Sequence, residues 1–202
     1  SQATLDISCA GWGGRSCLAH GAHPGEIADR EICEHSQTWL GIESAGWGGQ
    51  SCLGRGARCS DITTPWTCDA SAELGVACAG WGGASCLPRN ASCREITVAH
   101  ICDTSQATLD ISCAGWGGSQ CLDHGASAEL ITDREVCENS LAFLGIPSAG
   151  WGGHSCLTRG ARCQQITVRQ ICDEAEARLG ISCAGWDGTQ CLPKGAPCSS
   201  IT

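Results

Sequence analysis

The sequence predicts a small disulfide-rich repeat protein of six tandem units of about 35 residues, each a helix plus a loop. The phrase Cys-Ala-Gly-Trp-Gly-Gly-x-x-Cys-Leu, or a close variant, recurs every 34 or 35 residues, and 19 of the 202 residues are cysteine. Large hydrophobic residues are scarce: one Phe, no Tyr and no Met. Such units cannot bury an apolar face alone, so they must pack on their neighbours.

A longer period overlies the first. Residues 1–18 read SQATLDISCAGWGGRSCL and residues 105–122 read SQATLDISCAGWGGSQCL. Three unlike repeats, called A, B and C, therefore occur twice in the order ABCABC. The sequence divides into two triple repeats, residues 1–104 and 105–202. We expect one continuous array, which forms a solenoid, a closed ring or a segment of a filament.

The helix of each unit is clearest from Thr167 to Leu179. Thr167 and Gln170 have the spacing of a capping box, and apolar residues follow at helical intervals. Gly180 and Ile181 then read as a helix stop with its hydrophobic contact. The pattern predicts one helix of about three turns, a length that is marginal alone in water and needs packing.

The Trp-centred phrase is too rich in Gly, Ser and Cys for a helix, and it predicts a tight turn between short extended segments. Gly follows the Trp in five units, and Asp187 does so in the sixth. Both residue types tolerate a left-handed backbone, so we expect that conformation at this position.

A full repeat has four cysteine positions relative to its Trp. Position c1 lies three residues before the Trp, and c2, c3 and c4 lie five, twelve and twenty-one residues after it. The A repeats lack c3, where they hold Pro24 and Ala128, and the B repeats that follow lack c1, where they hold Ser44 and Ser148. A paired loss at both junctions indicates one deleted bridge, so we infer that c3 of each unit bonds to c1 of the next. The predicted pairs are Cys59–Cys78, Cys93–Cys113 and Cys163–Cys183.

The two junctions without this bridge hold an aromatic residue at one shared helix position, Trp39 in the first and Phe143 in the second. A buried aromatic side chain stabilises by about 2–3 kcal/mol. A bridge that closes a loop of roughly twenty residues stabilises by about 3 kcal/mol. The sequence therefore predicts that these aromatic residues are buried in place of the missing bridge.

The c2 and c4 cysteines leave two pairing schemes open. The preferred scheme pairs them within a repeat, as Cys17–Cys33, Cys52–Cys68, Cys86–Cys102, Cys121–Cys137 and Cys156–Cys172, and leaves Cys191 unpaired. The alternative bonds c4 to the next c2 and leaves Cys17 unpaired instead. In both schemes Cys9 is a c1 with no earlier c3, and Cys198 is a c3 with no later c1, so the two ends carry complementary halves of a bridge. Together they predict either ring closure or a head-to-tail bond to another chain.

The cysteine content predicts a secreted, extracellular protein, because disulfides persist in oxidising compartments. Asn90 begins an Asn-Ala-Ser glycosylation sequon that fits secretion. The formal net charge of −9 disfavours nucleic acid and anionic membranes as partners. We find no apolar run long enough to span a membrane.

The sequence holds no recognised catalytic motif, and its cysteine spacings lack the Cys-x-x-Cys knuckle of zinc sites. We therefore expect no catalysis, no metal and no cofactor. Each unit offers its Trp for ligand stacking, at Trp12, Trp47, Trp81, Trp116, Trp151 and Trp186. The alternative interpretation makes each Trp the main core residue of its unit.

These observations favour a non-catalytic structural protein, a building block of an extracellular fibre, wall or matrix, whose partner is a further copy of itself. The alternative function is a multivalent lectin that binds glycans with one Trp-centred site per repeat. A secreted toxin or inhibitor is a third possibility, although no reactive loop can be identified.

Overall fold

The computed structural model describes residues 8–197. Within them, each Trp-centred phrase forms a two-stranded antiparallel hairpin, six in all. The first three hairpins pair β1 (Gly11–Trp12) with β2 (Cys17–Leu18), β3 (Gly46–Trp47) with β4 (Cys52–Leu53), and β5 (Cys78–Trp81) with β6 (Cys86–Pro88). The other three pair β7 (Gly115–Trp116) with β8 (Cys121–Leu122), β9 (Gly150–Trp151) with β10 (Cys156–Leu157), and β11 (Cys183–Trp186) with β12 (Cys191–Pro193).

Between the hairpins lie short helices. The α-helices are α1 (Arg30–Glu34), α2 (Ser36–Leu40), α3 (Pro65–Asp69), α4 (Ala99–Asp103), α5 (Ser105–Thr108), α6 (Arg134–Glu138), α7 (Ser140–Leu144), α8 (Arg169–Asp173) and α9 (Ala175–Leu179). A 3-10 turn precedes each first helix, at Pro24–Glu26, Cys59–Asp61, Cys93–Glu95, Ala128–Leu130 and Cys163–Gln165. The chain is therefore a disulfide-rich protein of repeated short helices and hairpins. None of the described helices is long and apolar enough to cross a membrane.

The predicted turn between extended segments is confirmed, but the expected left-handed residue is wrong. In the second A hairpin, Trp116 pairs with Cys121 across the strands. The left-handed residue is not Gly117, directly after the Trp, but the next one, Gly118, with φ of 109°. Gly117 is needed for space, because a Cβ there would lie 2.7 Å from the Cδ1 atom of Leu122.

Asp187 replaces that packing glycine in the last hairpin without a left-handed backbone, since Asp110 is the one described non-glycine residue with positive φ. Its carboxylate accepts hydrogen bonds from the backbone N–H groups of Thr189 and Gln190, both at 2.7 Å. Bonds to the charged form favour it, so they hold the pKa of Asp187 below its ordinary value. The side chain thus closes the turn locally, as Asp commonly does.

The predicted three-turn helix is broken into two pieces. In the second B unit, α8 ends at Asp173 and α9 begins at Ala175, with Glu174 out of helical geometry at φ −106° and ψ 9°. The helix also begins later than expected, because Val168 is its cap residue. The predicted stop is confirmed: Gly180 is left-handed, and the Ile181 N–H donates to the carbonyl of Ala175.

The break has a packing reason. Cys172 on α8 bonds to Cys191 in the following hairpin. Leu179 on α9 instead lies against the hairpin of its own unit, where a Cβ on Gly150 would come 2.7 Å from its Cδ2 atom. The two short helices thus pack against two different hairpins. One straight three-turn helix would not contact both hairpins.

The hydrophobic core is staggered with respect to the sequence repeat. One cluster begins at Leu18, just after a c2 position, and ends at Cys52, the c2 position of the next unit. Its centre is Ile27, with 0% exposure, whose carbonyl accepts a hydrogen bond from the Cys52 N–H at 3.0 Å. Three further clusters repeat this plan from Leu53, Leu122 and Leu157. The hairpin of one unit therefore completes the core of the unit before it.

The chain divides into two compact units. One comprises the residues up to Ala91 together with Ala107–Asp110, and the other comprises Ser92–Gln106 together with the residues from Ile111 onward. The division falls between the hairpin and the helix of the first C repeat, as the staggered core leads one to expect. The sequence division at residues 104 and 105 describes the repeat and stays a prediction.

Candidate linkage and binding sites

Three disulfides join a c3 cysteine to the next c1. They are Cys59–Cys78, Cys93–Cys113 and Cys163–Cys183, with Cα–Cα distances of 5.6, 5.7 and 5.8 Å. These are the pairs inferred from the paired losses. In each pair the c3 cysteine opens a 3-10 turn, and the c1 cysteine begins the first strand of the next hairpin or lies just before it. We call this bridge the outer bridge of a junction.

The preferred within-repeat pairing of c2 and c4 is wrong, and the bonds run forward instead. They are Cys33–Cys52, Cys68–Cys86, Cys102–Cys121, Cys137–Cys156 and Cys172–Cys191. The staggered core explains the difference, because each c4 lies on a helix that packs on the next hairpin. Cys191 is accordingly bonded, and Cys17, which the within-repeat scheme paired with Cys33, is free.

The prediction that aromatic residues are buried at the A–B junctions is also wrong. Trp39 is 52% exposed and Phe143 is 57% exposed, because Leu40 and Leu144 fill the inward position of the same helices. Trp39 stacks on the ring of His35, with 4.6 Å between the ring centroids. These two aromatic side chains therefore do not replace the missing bridge.

A hydrogen-bonded serine occupies the c1 position of that bridge, and its partner is the first residue of the second helix. The Ser140 hydroxyl donates to the Ser148 hydroxyl at 2.9 Å, and the same pair recurs as Ser36 and Ser44 at 3.0 Å. Ser140 is only 3% exposed, so its hydroxyl needs a partner inside the protein. Sequence reasoning missed these pairs, although the serine at the vacant c1 position in both B repeats was a signal for them.

The six predicted Trp positions fall into two groups. Trp12 is 58% exposed, whereas Trp47, Trp81, Trp116, Trp151 and Trp186 are partly buried. Four of these five pack against a core cluster formed largely by the preceding unit. Each of the four is therefore a packing residue at the edge of a core. Ligand stacking on the exposed part of these rings stays a prediction.

The glycine before the Trp serves the same packing in five of the six units, whereas a Cβ on Gly185 would meet nothing within 4 Å. A Cβ on Gly115 would lie 2.7 Å from the Cδ2 atom of Leu144, and the same contact recurs between Gly80 and Leu109. The hairpin is thus held between the helix of the preceding unit and the last helical turn of its own unit. Close packing of leucine explains these glycines without any ligand.

Two open clefts adjoin partly buried tryptophans. The cleft beside Trp151 has a volume of about 350 Å³ and is lined by Arg134, Glu138 and Arg178 as well as apolar residues. The cleft beside Trp116 has a volume of about 470 Å³ and includes Phe143. An aromatic face beside charged and polar groups is the usual composition of a small-ligand site.

The two free cysteines lie together on the first hairpin. Cys17 is exposed and Cys9 is partly buried. A hydrogen bond with the Cys9 thiol raises the pKa of Cys17, with lesser contributions from desolvation and from charge repulsion by Cys9. Cys198, the predicted partner of Cys9, lies outside the described residues.

One group of three potential metal ligands occurs in the part of the chain that the structure describes. The sulfur atoms of Cys93, Cys113 and Cys121 lie within 4.8 Å of one another. All three are in disulfides, and a metal binds the thiolate form of cysteine. The cluster instead shows that the two bridges entering this hairpin lie side by side.

Asn90 is exposed, in a turn that follows β6. This position leaves room for a glycan, and its glycosylation stays a prediction.

No protein-family model, curated protein or solved structure matches this chain. The eight disulfides within residues 8–197, at Cys33–Cys52 and the seven other pairs given above, fit an extracellular or secreted protein.

Proposed function

We propose that this chain is a non-catalytic secreted structural protein, a disulfide-stapled building block of an extracellular fibre, wall or matrix. The observation that carries the proposal is the staggered core, in which a hairpin completes the core of the unit before it. An assembly of this kind grows by adding units, since each later hairpin is both part of its own unit and the cover of the unit before it.

The position of the disulfides supports a mechanical role. Each bridge spans 18 to 20 residues and joins a helix to the next hairpin. A pulling force therefore cannot extend the chain between the bridged residues unless a covalent bond breaks. Hydrophobic contacts alone would give way much earlier, because each cluster contains only six or seven buried residues.

Two cysteines in complementary positions supply a means of growth. Cys9 is free in this structure, and Cys198 occupies the complementary c3 position in the sequence. We propose that Cys198 of one chain bonds to Cys9 of another, which would produce a head-to-tail filament. Ring closure within one chain would use the same two cysteines and is the competing outcome.

The test is the non-reduced mass of native material, with a disulfide map of Cys9. The proposal predicts a ladder of masses that collapses on reduction, together with filaments visible by negative-stain electron microscopy. The Cys9→Ser variant should lose the ladder, whereas the matched variant Ser8→Ala should keep it. A single chain bridged between Cys9 and Cys198 would contradict the filament.

Multivalent carbohydrate binding is the second candidate function, and the clefts beside Trp116 and Trp151 support it. A sugar ring can stack on the exposed part of an indole while its hydroxyl groups bond to charged side chains such as Arg134 and Glu138. Repeated weak sites would give high avidity for a polymeric glycan.

Titration of tryptophan fluorescence with oligosaccharides tests this second function. Arg178→Ala should weaken a response that arises at the Trp151 cleft. Arg169→Ala is the matched control, because both arginines form exposed ion pairs four residues apart in sequence, with Glu174 and Asp173 respectively. Equal responses from both variants, or no fluorescence change, would count against a lectin.

A further inference from the structure

The cleft beside Trp151, which we call the later cleft, repeats the cleft beside Trp116, which we call the earlier cleft. Seven residues line the later cleft, and for each of them the residue 35 positions before it in the sequence lines the earlier cleft. Three of these pairs are identical in residue type: Gly115 and Gly150, Trp116 and Trp151, and Leu144 and Leu179. The cleft is therefore a product of the repeat, with the same walls at two successive junctions.

Packing fixes the identical residues of the two clefts. A Cβ on Gly150 would lie 2.7 Å from the Cδ2 atom of Leu179, and the equivalent distance from Gly115 to Leu144 is also 2.7 Å. Trp151 is partly buried against a core cluster. A ligand would therefore meet an aromatic surface that is already in place, which lowers the entropic cost of binding.

Two of the seven positions change from apolar to positively charged. The earlier cleft has Ala99 and Phe143 where the later cleft has Arg134 and Arg178. The lining of the later cleft thus carries two positive side chains and one negative side chain, whereas the lining of the earlier cleft carries a single negative side chain. The two clefts share their walls but differ in the sign of their charge.

Each arginine of the later cleft has an acidic partner four residues away in the sequence. The Nε atom of Arg134 donates to Glu138 at 2.8 Å, and the Nη1 atom of Arg178 donates to Glu174 at 2.9 Å. Half or more of each arginine side chain is exposed, and exposed ion pairs are weak. A guanidinium group has five N–H donors, and these contacts use one nitrogen of each. The remaining donors of both arginines are therefore available to an anionic ligand.

The first B repeat shows that an arginine at position 178 is not required for packing. Its segment between c4 and the next c2 is one residue shorter. Leu74 takes the place of Leu179 there, because its Cδ2 atom would lie 2.8 Å from a Cβ on Gly46. Glu73 directly precedes Leu74, as Arg178 directly precedes Leu179. The fold of a B unit thus accepts either charge at this position, so the arginine is explained better by a ligand than by packing.

An aromatic surface beside two arginines suits a ring that carries a carboxylate. The apolar face of a sugar ring stacks on an indole, and the planar guanidinium group bonds to both oxygens of a carboxylate. A uronic acid has both features on one ring. The cleft volume of about 350 Å³ lies at the lower end of the roughly 300–1,000 Å³ that is typical of small-ligand sites. It therefore suits one ring of a polymer.

We propose that the later cleft binds a uronic acid residue of an acidic polysaccharide, with the sugar ring on Trp151 and its carboxylate on Arg134 and Arg178. The earlier cleft lacks both arginines and does not select this sugar. The inference rests on the second candidate function, carbohydrate binding, because it names the sugar class of one cleft. It also gives a structural protein of a wall or matrix a contact with the polysaccharide around it.

The net charge of the chain acts against this ligand only at long range. The formal charge of −9 repels a polyanion that approaches from a distance. At physiological ionic strength, exposed charges more than about 8 Å apart are largely screened from each other. The charges that line the cleft therefore decide whether a single uronic acid ring binds.

The test is isothermal titration calorimetry of the full chain with three tetrasaccharides: galacturonate, its methyl ester and a neutral glucose oligomer. We expect one site per chain for galacturonate, and binding of the methyl ester that is weaker by about tenfold, because the ester has no charge for the arginines. Arg178→Glu, which installs the residue of the first B repeat, should weaken galacturonate binding by about tenfold or more. Arg162→Glu is the matched control, because Arg162 is exposed and lies outside the cleft lining. It makes the same change in net charge and should leave the affinity unchanged.

A second variant transfers the site to the earlier cleft. Ala99→Arg with Phe143→Arg should give that cleft the same selectivity and double the number of galacturonate molecules bound per chain. The substitutions suit the fold, because Phe143 is 57% exposed and Ala99 is the first residue of α4, the position that Arg134 occupies in α6.

Three results would overturn the inference: equal affinity for galacturonate and its methyl ester, equal losses in the two Glu variants, or an unchanged number of sites after the transfer. If the neutral oligomer binds and Arg178→Glu has no effect on galacturonate, carbohydrate binding stands and this inference fails. If none of the tetrasaccharides binds, both fail together. The fibre proposal is tested separately, because these variants leave every cysteine in place and the ladder of masses does not depend on them.

Discussion

At the A–B junctions and at the B–C junctions a helix packs on the next hairpin, but the two kinds of junction have different numbers of disulfide bridges. The second B–C junction has an outer bridge, Cys163–Cys183, and an inner bridge, Cys172–Cys191. The second A–B junction has only the inner bridge, Cys137–Cys156. Both have a core of the same plan, with a fully buried isoleucine at its centre. The inner bridge is therefore common to both junctions, whereas the outer bridge, whose Cys163 also belongs to the core cluster, is absent from the second A–B junction, where Ala128 and Ser148 hold its two positions.

The largest expected effect comes from removing an inner bridge. In the second B–C junction, Cys172→Ala with Cys191→Ala should lower the free energy of unfolding by about 4–5 kcal/mol, and Cys163→Ala with Cys183→Ala by about 2–3 kcal/mol. The two bridges span 19 and 20 residues, so their loop entropies match. The difference comes from the cavity left around Cys191, which is 0% exposed. Urea unfolding of both variants measures this difference in the free energy of unfolding. Equal losses would contradict the expectation that the inner bridge contributes more than the outer bridge.

The next effect is a gain from rebuilding the absent bridge. Ala128→Cys with Ser148→Cys should form a disulfide and stabilise by about 2–3 kcal/mol, because the equivalent cysteines elsewhere bond at this position. Non-reducing peptide mapping shows the bond, and thermal unfolding shows the gain.

The first A–B junction provides the control for this engineered bridge. Pro24→Cys with Ser44→Cys should stabilise the protein by less than the bridge at the second junction. Pro24 is the first residue of its 3-10 turn, and replacing a proline increases the conformational entropy of the unfolded chain. A larger gain at the first junction than at the second would overturn this reasoning.

A smaller loss is expected from the serine pair. Ser148→Ala removes the partner of the Ser140 hydroxyl, and a buried hydroxyl without a partner costs about 1–2 kcal/mol. Ser182→Ala is the matched control, because Ser182 is exposed and bonds only to the carboxylate of Glu176. That variant should change stability by less than about 0.5 kcal/mol. Indistinguishable unfolding midpoints for the two variants would show that the serine pair does not replace the bridge.

The smallest effect concerns the hairpin that has neither bridge. Because Cys9 raises the pKa of Cys17, less of the reactive thiolate is present near neutral pH. The rate of Cys17 alkylation by iodoacetamide increases with pH as the thiol ionises. This increase should therefore occur at higher pH in the native chain than in the Cys9→Ala variant. Since a thiol with a raised folded pKa is favoured in its neutral form, its small contribution to stability is lost as pH rises through that pKa. Superimposable pH profiles would show that Cys9 does not act on Cys17.

The outer and inner bridges also differ in how far sequence reasoning could reach them. The pair Cys163–Cys183 could be inferred because Ala128 and Ser148 show both of its positions lost together in another junction. No repeat lacks c2 or c4 in this way, so the sequence offered no comparison for Cys172. The broken helix could not be predicted either, because the apolar positions of its two pieces read as one helical stripe.

The aromatic residues of the A repeats show the same limit. Trp39 and Phe143 satisfy a hydrophobic pattern, yet they lie one position before the leucines that face inward. A shift of one residue rotates a helical side chain by about 100°, which is enough to move it from core to surface. The surrounding turns, rather than the local pattern, decided which position was buried.

By itself, the sequence determined the period, the turn between extended segments at each Trp, and the outer bridges. Only the tertiary structure decided that each c4 bonds to the following unit, that the core is staggered, and that Cys17 is free. In a tandem repeat a c4 cysteine has a c2 cysteine before it and another after it. The two sequence separations are similar: 16 residues from Cys17 to Cys33 and 19 residues from Cys33 to Cys52. Both pairings are compatible with the chain length, so the direction in which each helix packs made the choice.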